Sequence, residues 1–164
     1  MTLWVVDTAP LIFLAKLDRL YLLKESASEV IVPPAVIREV NAQVDDATQQ
    51  VNQATNTWLQ VRSVSNTELL NLLLADLGEG EAEAIVLARE LSADRAVLDD
   101  LDARRFARRI GLPLIGTVGL LLTARRQDKI PSLQAEIDHL RQAGFWTSEA
   151  LVEAVLRSVD EWKD

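Results

Sequence analysis

Acidic side chains recur in this chain where runs of apolar residues stop. Asp7 follows LWVV at 3–6, Asp99 and Asp100 follow RAVL at 95–98, and Glu39 lies a short way beyond EVIV at 29–32. Glu79, Glu81 and Glu83 alternate through LGEGEAEA at 77–84. Carboxylates gathered at one point repel and cannot all stay ionised without a compensating cation. A divalent ion held by oxygen resolves that repulsion, and Mg2+ or Mn2+ prefers such carboxylate and water ligands. With no cysteine and a single histidine, His139, thiolate and multi-histidine metal sites are excluded. The chemistry this points to is phosphoryl hydrolysis, in which the ion activates water and offsets developing negative charge.

Each acid also has an explanation confined to one helix. Asp7 or Thr8 is placed to cap a helix starting near Pro10, and Glu79 and Glu81 suit the positive end of a helix dipole. Glu39 is within pairing range of Arg38 or Lys24 on a solvated helix face, and Asp102 fits a helix start. None of these separate explanations requires the acids to converge.

Convergence depends on the elements that carry them. Strand-length apolar runs are predicted at 3–6, 29–32, 95–98 and 113–115, with a weaker one at 59–64. Helices are predicted at 10–24, 34–43, 66–76, 79–91, 101–110, 117–127, 132–143 and 148–162, and the polar stretch 41–57 reads as helical or loop-like. Strands apolar on both faces and alternating with helices imply an α/β three-layer sandwich with a central parallel sheet. In such sheets ligands gather outside the carboxyl ends of the strands, which is the edge where Asp7, Asp99 and Asp100 emerge. The helix bearing Glu79, Glu81 and Glu83 leads into a parallel strand and so begins at that edge. Glu39 sits in the second turn of a helix that starts there at Pro33-Pro34.

The 164 residues correspond to one ordinary domain, and 49% hydrophobic content supplies a sizeable core. No uncharged apolar run approaches the roughly 18 residues of a membrane helix, and the N-terminus lacks a signal-peptide pattern, so a cytoplasmic protein is expected. A net charge of −8 argues against a broad non-specific nucleic-acid footprint. No P-loop is present, Ala9 stands where a haloacid-dehalogenase signature needs a second aspartate, and the Asp pair of a receiver domain falls at 99–100 instead of after the first strand.

Taken together, VVDTAPLI, VIVPPAVIREV, LGEGEAEAIVLA and AVLDDLDARRFARRIGLPLIGTVGLL resemble the PIN-domain nucleases, in particular their compact VapC-like toxin branch. The resemblance runs in order from residue 1 to about 126, leaving about 127–164 as a helical extension of a single PIN-like domain. It implies a quartet of acids binding magnesium or manganese for hydrolysis of RNA, with Asp7, Glu39, Glu81 and Asp99 in the metal positions and Thr8 and Thr117 lining the site. It also implies a small antitoxin protein as partner and frequent homodimers. Two positions depart from the pattern: the third acid is Glu where Asp is common, with Glu83 as an alternate, and Asp99 is doubled by Asp100. Those departures leave open a second reading, a catalytically weak PIN-like binding or regulatory module.

Arg104 and Arg108, one turn apart on the helix after Asp99, are the candidates for phosphate contact with RNA, against the alternative of a solvated face. Arg105 and Arg109 face elsewhere, toward acids such as Asp102. The tryptophans Trp4, Trp58, Trp146 and Trp162 are expected to pack. A stripe of Leu151, Val155, Val159 and Trp162, joined by Val152 and Leu156, needs cover from its own fold or from a second protein.

Overall fold

The computed structural model describes residues 1–164, and the chain divides into two compact units, 1–116 and 117–164. The first unit holds a five-stranded sheet of β1 (Leu3–Val6), β2 (Glu29–Val32), β3 (Leu59–Val61), β4 (Arg95–Val97) and β5 (Leu114–Ile115). Every neighbouring pair is parallel and the order is β3-β2-β1-β4-β5, with helices flanking the sheet as an α/β/α sandwich. Val5, Val6, Ile31, Val32, Ala96 and Val97 are almost fully buried, as strands covered on both faces require.

The helices of this unit are α1 (Thr8–Lys16), α2 (Tyr21–Ser26), α3 (Pro34–Val40), α4 (Asp46–Thr55), α5 (Thr67–Leu73), α6 (Glu79–Glu90) and α7 (Leu101–Arg109). Helix α6 is the hub. It touches β1, β4, α3, α5 and α7 and buries Ala82, Ala84, Ile85, Val86, Leu87 and Ala88. The small alanines let it lie close to its neighbours, which is why its N-terminal glutamates are held in one place.

The strand order reverses between β1 and β4, the topological switch point at which doubly wound sheets open a crevice. Val6 pairs with Val97 there, and the Asp7 N–H donates to the Val97 carbonyl at 3.1 Å. Asp7 thus enters the crevice directly from the strand.

The helices expected at 34–43 and 66–76 stop early as α3 and α5, and two others are cut by one kind of turn. The segment 10–24 is broken into α1 and α2 by Asp18, whose φ of 56° is left-handed; Arg19 N–H returns to the Leu14 carbonyl and Asp18 N–H to Ala15. That is a Schellman stop, made at an aspartate where glycine is the usual signal. The segment 148–162 ends as α10 (Glu149–Arg157) through the same turn at Asp160, with φ 58° and Glu161 N–H on the Leu156 carbonyl. The polar stretch 41–57 contains α4, capped by the Asp45 side chain on the Thr48 N–H.

The second unit comprises α8 (Thr117–Arg126), α9 (Leu133–Gln142) and α10, with α9 touching both others. Val152, Val155 and Leu156 of the apolar stripe are buried, whereas Leu151 is 45% exposed; Trp146, expected to pack, is 76% exposed. No helix is long and apolar enough to cross a membrane. The Schellman stop at Asp160 turns the Glu161 carboxylate onto the start of α9. It accepts from Leu133 N–H at 2.9 Å, Gln134 N–H at 3.0 Å and the Ser132 hydroxyl at 2.9 Å, and pairs with Arg125 at 2.9 Å. Desolvation works to raise its pKa, but these donors outweigh that and hold it below the ordinary value.

A carboxyl held low contributes stability that is present above its unfolded pKa and is lost as pH falls through the folded one. Glu161→Gln is therefore expected to lower stability by about 1–3 kcal/mol at neutral pH, the usual worth of charge-assisted bonds to a part-buried acceptor. The gap from wild type should close in acid, and urea denaturation across pH measures both.

Candidate active site

The acids reach the carboxyl edge by different routes. Asp7 occupies the position before α1, yet its side chain makes no capping hydrogen bond. It is 4% exposed and its Oδ1 is buried with no hydrogen-bond partner, so capping does not account for it. Burial pushes its pKa up to about 7; the Thr8 N–H acts against this, and the carboxylates of Glu81, Glu39 and Asp99 add to it. The buried acid is thus in the field of the other acids predicted for the site.

Glu39, exposed in the last turn of α3, is tethered toward the same place. The Thr8 hydroxyl donates to its Oε2 at 2.7 Å and the Gly80 N–H to its Oε1 at 3.3 Å. The approach is possible because residue 80 is glycine: a Cβ there would lie 2.1 Å from Oε2. Glu81 is half-buried in the first turn of α6. Its pKa is raised by burial first, then by Asp100, lowered by the Gly78 N–H, and raised again by Glu39 and Asp102.

The two alternates are occupied in holding helices. Glu83, 8% exposed, accepts from the Ala35 N–H at 3.3 Å and lies 3.7 Å from Arg38, supplying the start of α3 with the side-chain acceptor that Pro33 cannot provide. Asp100 caps α7 by accepting from the Ala103 N–H at 3.0 Å. Asp99, by contrast, points toward Gly116, where a Cβ would come within 3.1 Å of both its Oδ1 and Arg104 Nη1.

Arg104 is not on a solvated rim. It is half-buried and Nη1 donates to the Leu98 carbonyl at 2.7 Å; burial lowers its pKa, Arg108 adds to that, and Asp99 opposes it. Arg108 is exposed, and Arg105 lies 3.5 Å from Asp102. Thr117 opens α8 in the second unit and is fully buried.

As the side chains stand, no three of the acids close into a metal-ligating group. Glu39 is instead held by Thr8 and Gly80. The donor set nonetheless fits a hard divalent ion, being all oxygen, and it includes one buried oxygen that lacks any partner.

Fold and site together define a doubly wound α/β protein with an acidic centre at its switch point. The chain matches the family described as PIN domain over residues 3–161 and belongs to that family, whose fold is of the nuclease type. Among solved structures it is similar to a PilT N-terminus domain protein, SSO1118, from the hyperthermophilic archaeon Sulfolobus solfataricus P2. The identity is 20% and the TM-score 0.56, over 75% of this chain and 93% of that one. At that identity the likeness concerns the fold. No match is found among curated proteins.

Because Asp7 moves from 3.8 to about 7, the folded state keeps a proton that the unfolded chain releases between those values, so stability falls as pH rises through the window. Asp7→Asn is expected to lack this slope. Above pH 8 in EDTA it should be more stable than wild type, by roughly 4 kcal/mol if the whole shift is relieved. Equal slopes in paired urea titrations would contradict the burial argument.

Proposed function

We propose that this chain is a metal-dependent endoribonuclease that hydrolyses RNA phosphodiester bonds, acting as the toxin of a toxin–antitoxin pair. The observation that carries the reading is the buried Asp7 carboxylate at the switch point, one oxygen of which has no hydrogen-bond partner, in the field of Glu39, Glu81 and Asp99. PIN-domain membership supports the nuclease class. RNA, the toxin role, a small antitoxin partner and a homodimer are supported by the resemblance of the segments around the acids.

In this reading Asp7, Glu39, Glu81 and Asp99 would hold Mg2+ or Mn2+, which when bound supplies positive charge against the developing phosphoryl charge and acidifies water. The chain's own residues orient that set. Thr8 and the Gly80 N–H fix the Glu39 carboxylate, the Gly78 N–H restrains Glu81, and Arg104 braces the Leu98–Asp99 turn. Arg108, exposed one turn beyond Arg104, is the member of the arginine pair left to meet RNA.

Purified protein should cleave RNA in manganese or magnesium and stop in EDTA. Asp7→Asn and Glu81→Gln should each lose more than about 100-fold, beyond the usual effect of disturbing residues behind a metal ligand. Induced wild type should arrest growth of a host cell where Asp7→Asn does not. The alternative, a PIN-like module without catalysis, gains weight from Glu at the third acid position and predicts RNA binding with no cleavage in any metal.

Gly80→Ala offers a test of a different kind. The three atoms nearest the added Cβ all belong to the far end of Glu39, a flexible side chain, so the fold should persist with little change in melting temperature. Cleavage, however, should fall sharply because the Glu39 carboxylate is displaced. Unaltered cleavage by a folded Gly80→Ala would remove Glu39 from the centre.

A further inference from the structure

Helix α1 is apolar on two faces, and its own core accounts for only one. Pro10, Leu11, Leu14 and Ala15 are buried, whereas Ala9, Ile12 and Phe13 are half-buried and line a cavity of about 560 Å3 together with exposed Lys16. The same cavity is lined by Asp7, Thr8, Glu39 and Glu81 of the acid centre and by Val40, Gln43 and Thr48. The volume falls within the range of small-ligand sites, roughly 300–1,000 Å3.

Three observations bear on the occupant. The first is order: at 1.5 Å per residue along α1, Phe13 lies roughly 9 Å and Lys16 roughly 13 Å from Asp7, so the acids are followed by an aromatic ring and then by a cation. The second is charge. Lys16 is the only basic residue lining the cavity of a chain with net charge −8, and its Nζ sits 5.6 Å from the Phe13 ring centroid. The third is that the remaining acid of that wall, Asp45, is committed to α4, accepting from Thr48 N–H at 2.9 Å and the Thr48 hydroxyl at 3.0 Å. An aromatic ring paired with a cation in a cavity that also holds an acidic centre matches a single-stranded nucleic acid, whose base stacks on aromatic faces while its phosphates seek Lys or Arg.

We propose that this cavity is a nucleotide subsite for single-stranded RNA, in which Phe13 stacks against the base beside the scissile phosphodiester and Lys16 holds the next phosphate. Gln43, exposed and lining the same cavity, has a carboxamide of the kind that reads a base edge. The proposal rests on the ribonuclease reading of the acids and adds where the strand lies.

Fluorescence anisotropy with a short labelled single-stranded RNA, in EDTA so that no cleavage competes, tests it. Lys16→Gln, an exposed change, should lower the slope of log affinity against log salt by about 0.7, the signature of one lost single-strand phosphate contact. Phe13→Ala should weaken binding by roughly five-fold or more, as loss of one stacked base does. Should Phe13→Ala fail to fold, the Lys16→Gln slope decides alone. Wild type that does not bind RNA, or Lys16→Gln with the wild-type slope, overturns the subsite. A wild type that cleaves RNA in manganese while both variants bind normally would sink the subsite and spare the nuclease reading. RNA binding that depends on Phe13 and Lys16 without cleavage in any metal would do the reverse.

Discussion

A single backbone hydrogen bond, from Asp7 N–H to the Val97 carbonyl, marks the constraint on which the rest of this structure depends. It fastens the end of β1 to the end of β4 where the strand order reverses, and so carries a carboxyl into a crevice among apolar strand ends. Burying an acid with one oxygen unpartnered is unfavourable for folding alone, and the raised pKa is the direct expression of that penalty. A fold that retains it has placed that penalty at the carboxyl edge of its sheet.

The surrounding acids divide into those that hold the scaffold and those the scaffold holds. Glu83 supplies an acceptor to the start of α3 and Asp100 caps α7, so each neutralises helix-end donors and fixes the helix it touches. Glu39, Glu81 and Asp99 are then presented by elements already locked in place. Gly80 lets the backbone of α6 come close enough for its N–H to reach Glu39, and the contact joins α3 to α6 just beside Asp7. The result is an acidic centre built from four separate segments with little freedom to rearrange their backbones.

Helix ends follow a related economy of means. Left-handed residues stop α1 at Asp18, α7 at Gly111, α9 at Gly144 and α10 at Asp160, in each case returning a backbone N–H to the preceding turn. Aspartate tolerates this conformation better than most side chains because it is short and polar. At Asp160 the turn also aims Glu161 at α9, so one stop both ends a helix and starts the bonding of another.

The sequence by itself determined the class of fold, the strands and the chemical type of the centre. Apolar runs such as LWVV and EVIV can only be buried on both faces, and the absence of cysteine with a lone histidine leaves a centre of oxygen-bearing side chains. The ordered spacing of Asp7, Glu39, Glu81 and Asp99 also followed from it, because strand ends and helix starts alternate along the chain. The breaks at Asp18 and Asp160 were not legible, since left-handed aspartate leaves no local signal comparable to glycine. Nor was the division between Glu81 and Glu83, or between Asp99 and Asp100. Neighbours in sequence differ there only in which helix end or crevice they face, and that depends on α3 and α6 packing together. Arg104 was likewise read as a phosphate contact, and its bond to the Leu98 carbonyl is made within the link from β4 into α7. Which acid is buried, which one caps and which arginine stays in solvent were therefore decided by tertiary packing, because desolvation and hydrogen-bond competition exist only once distant segments share a space.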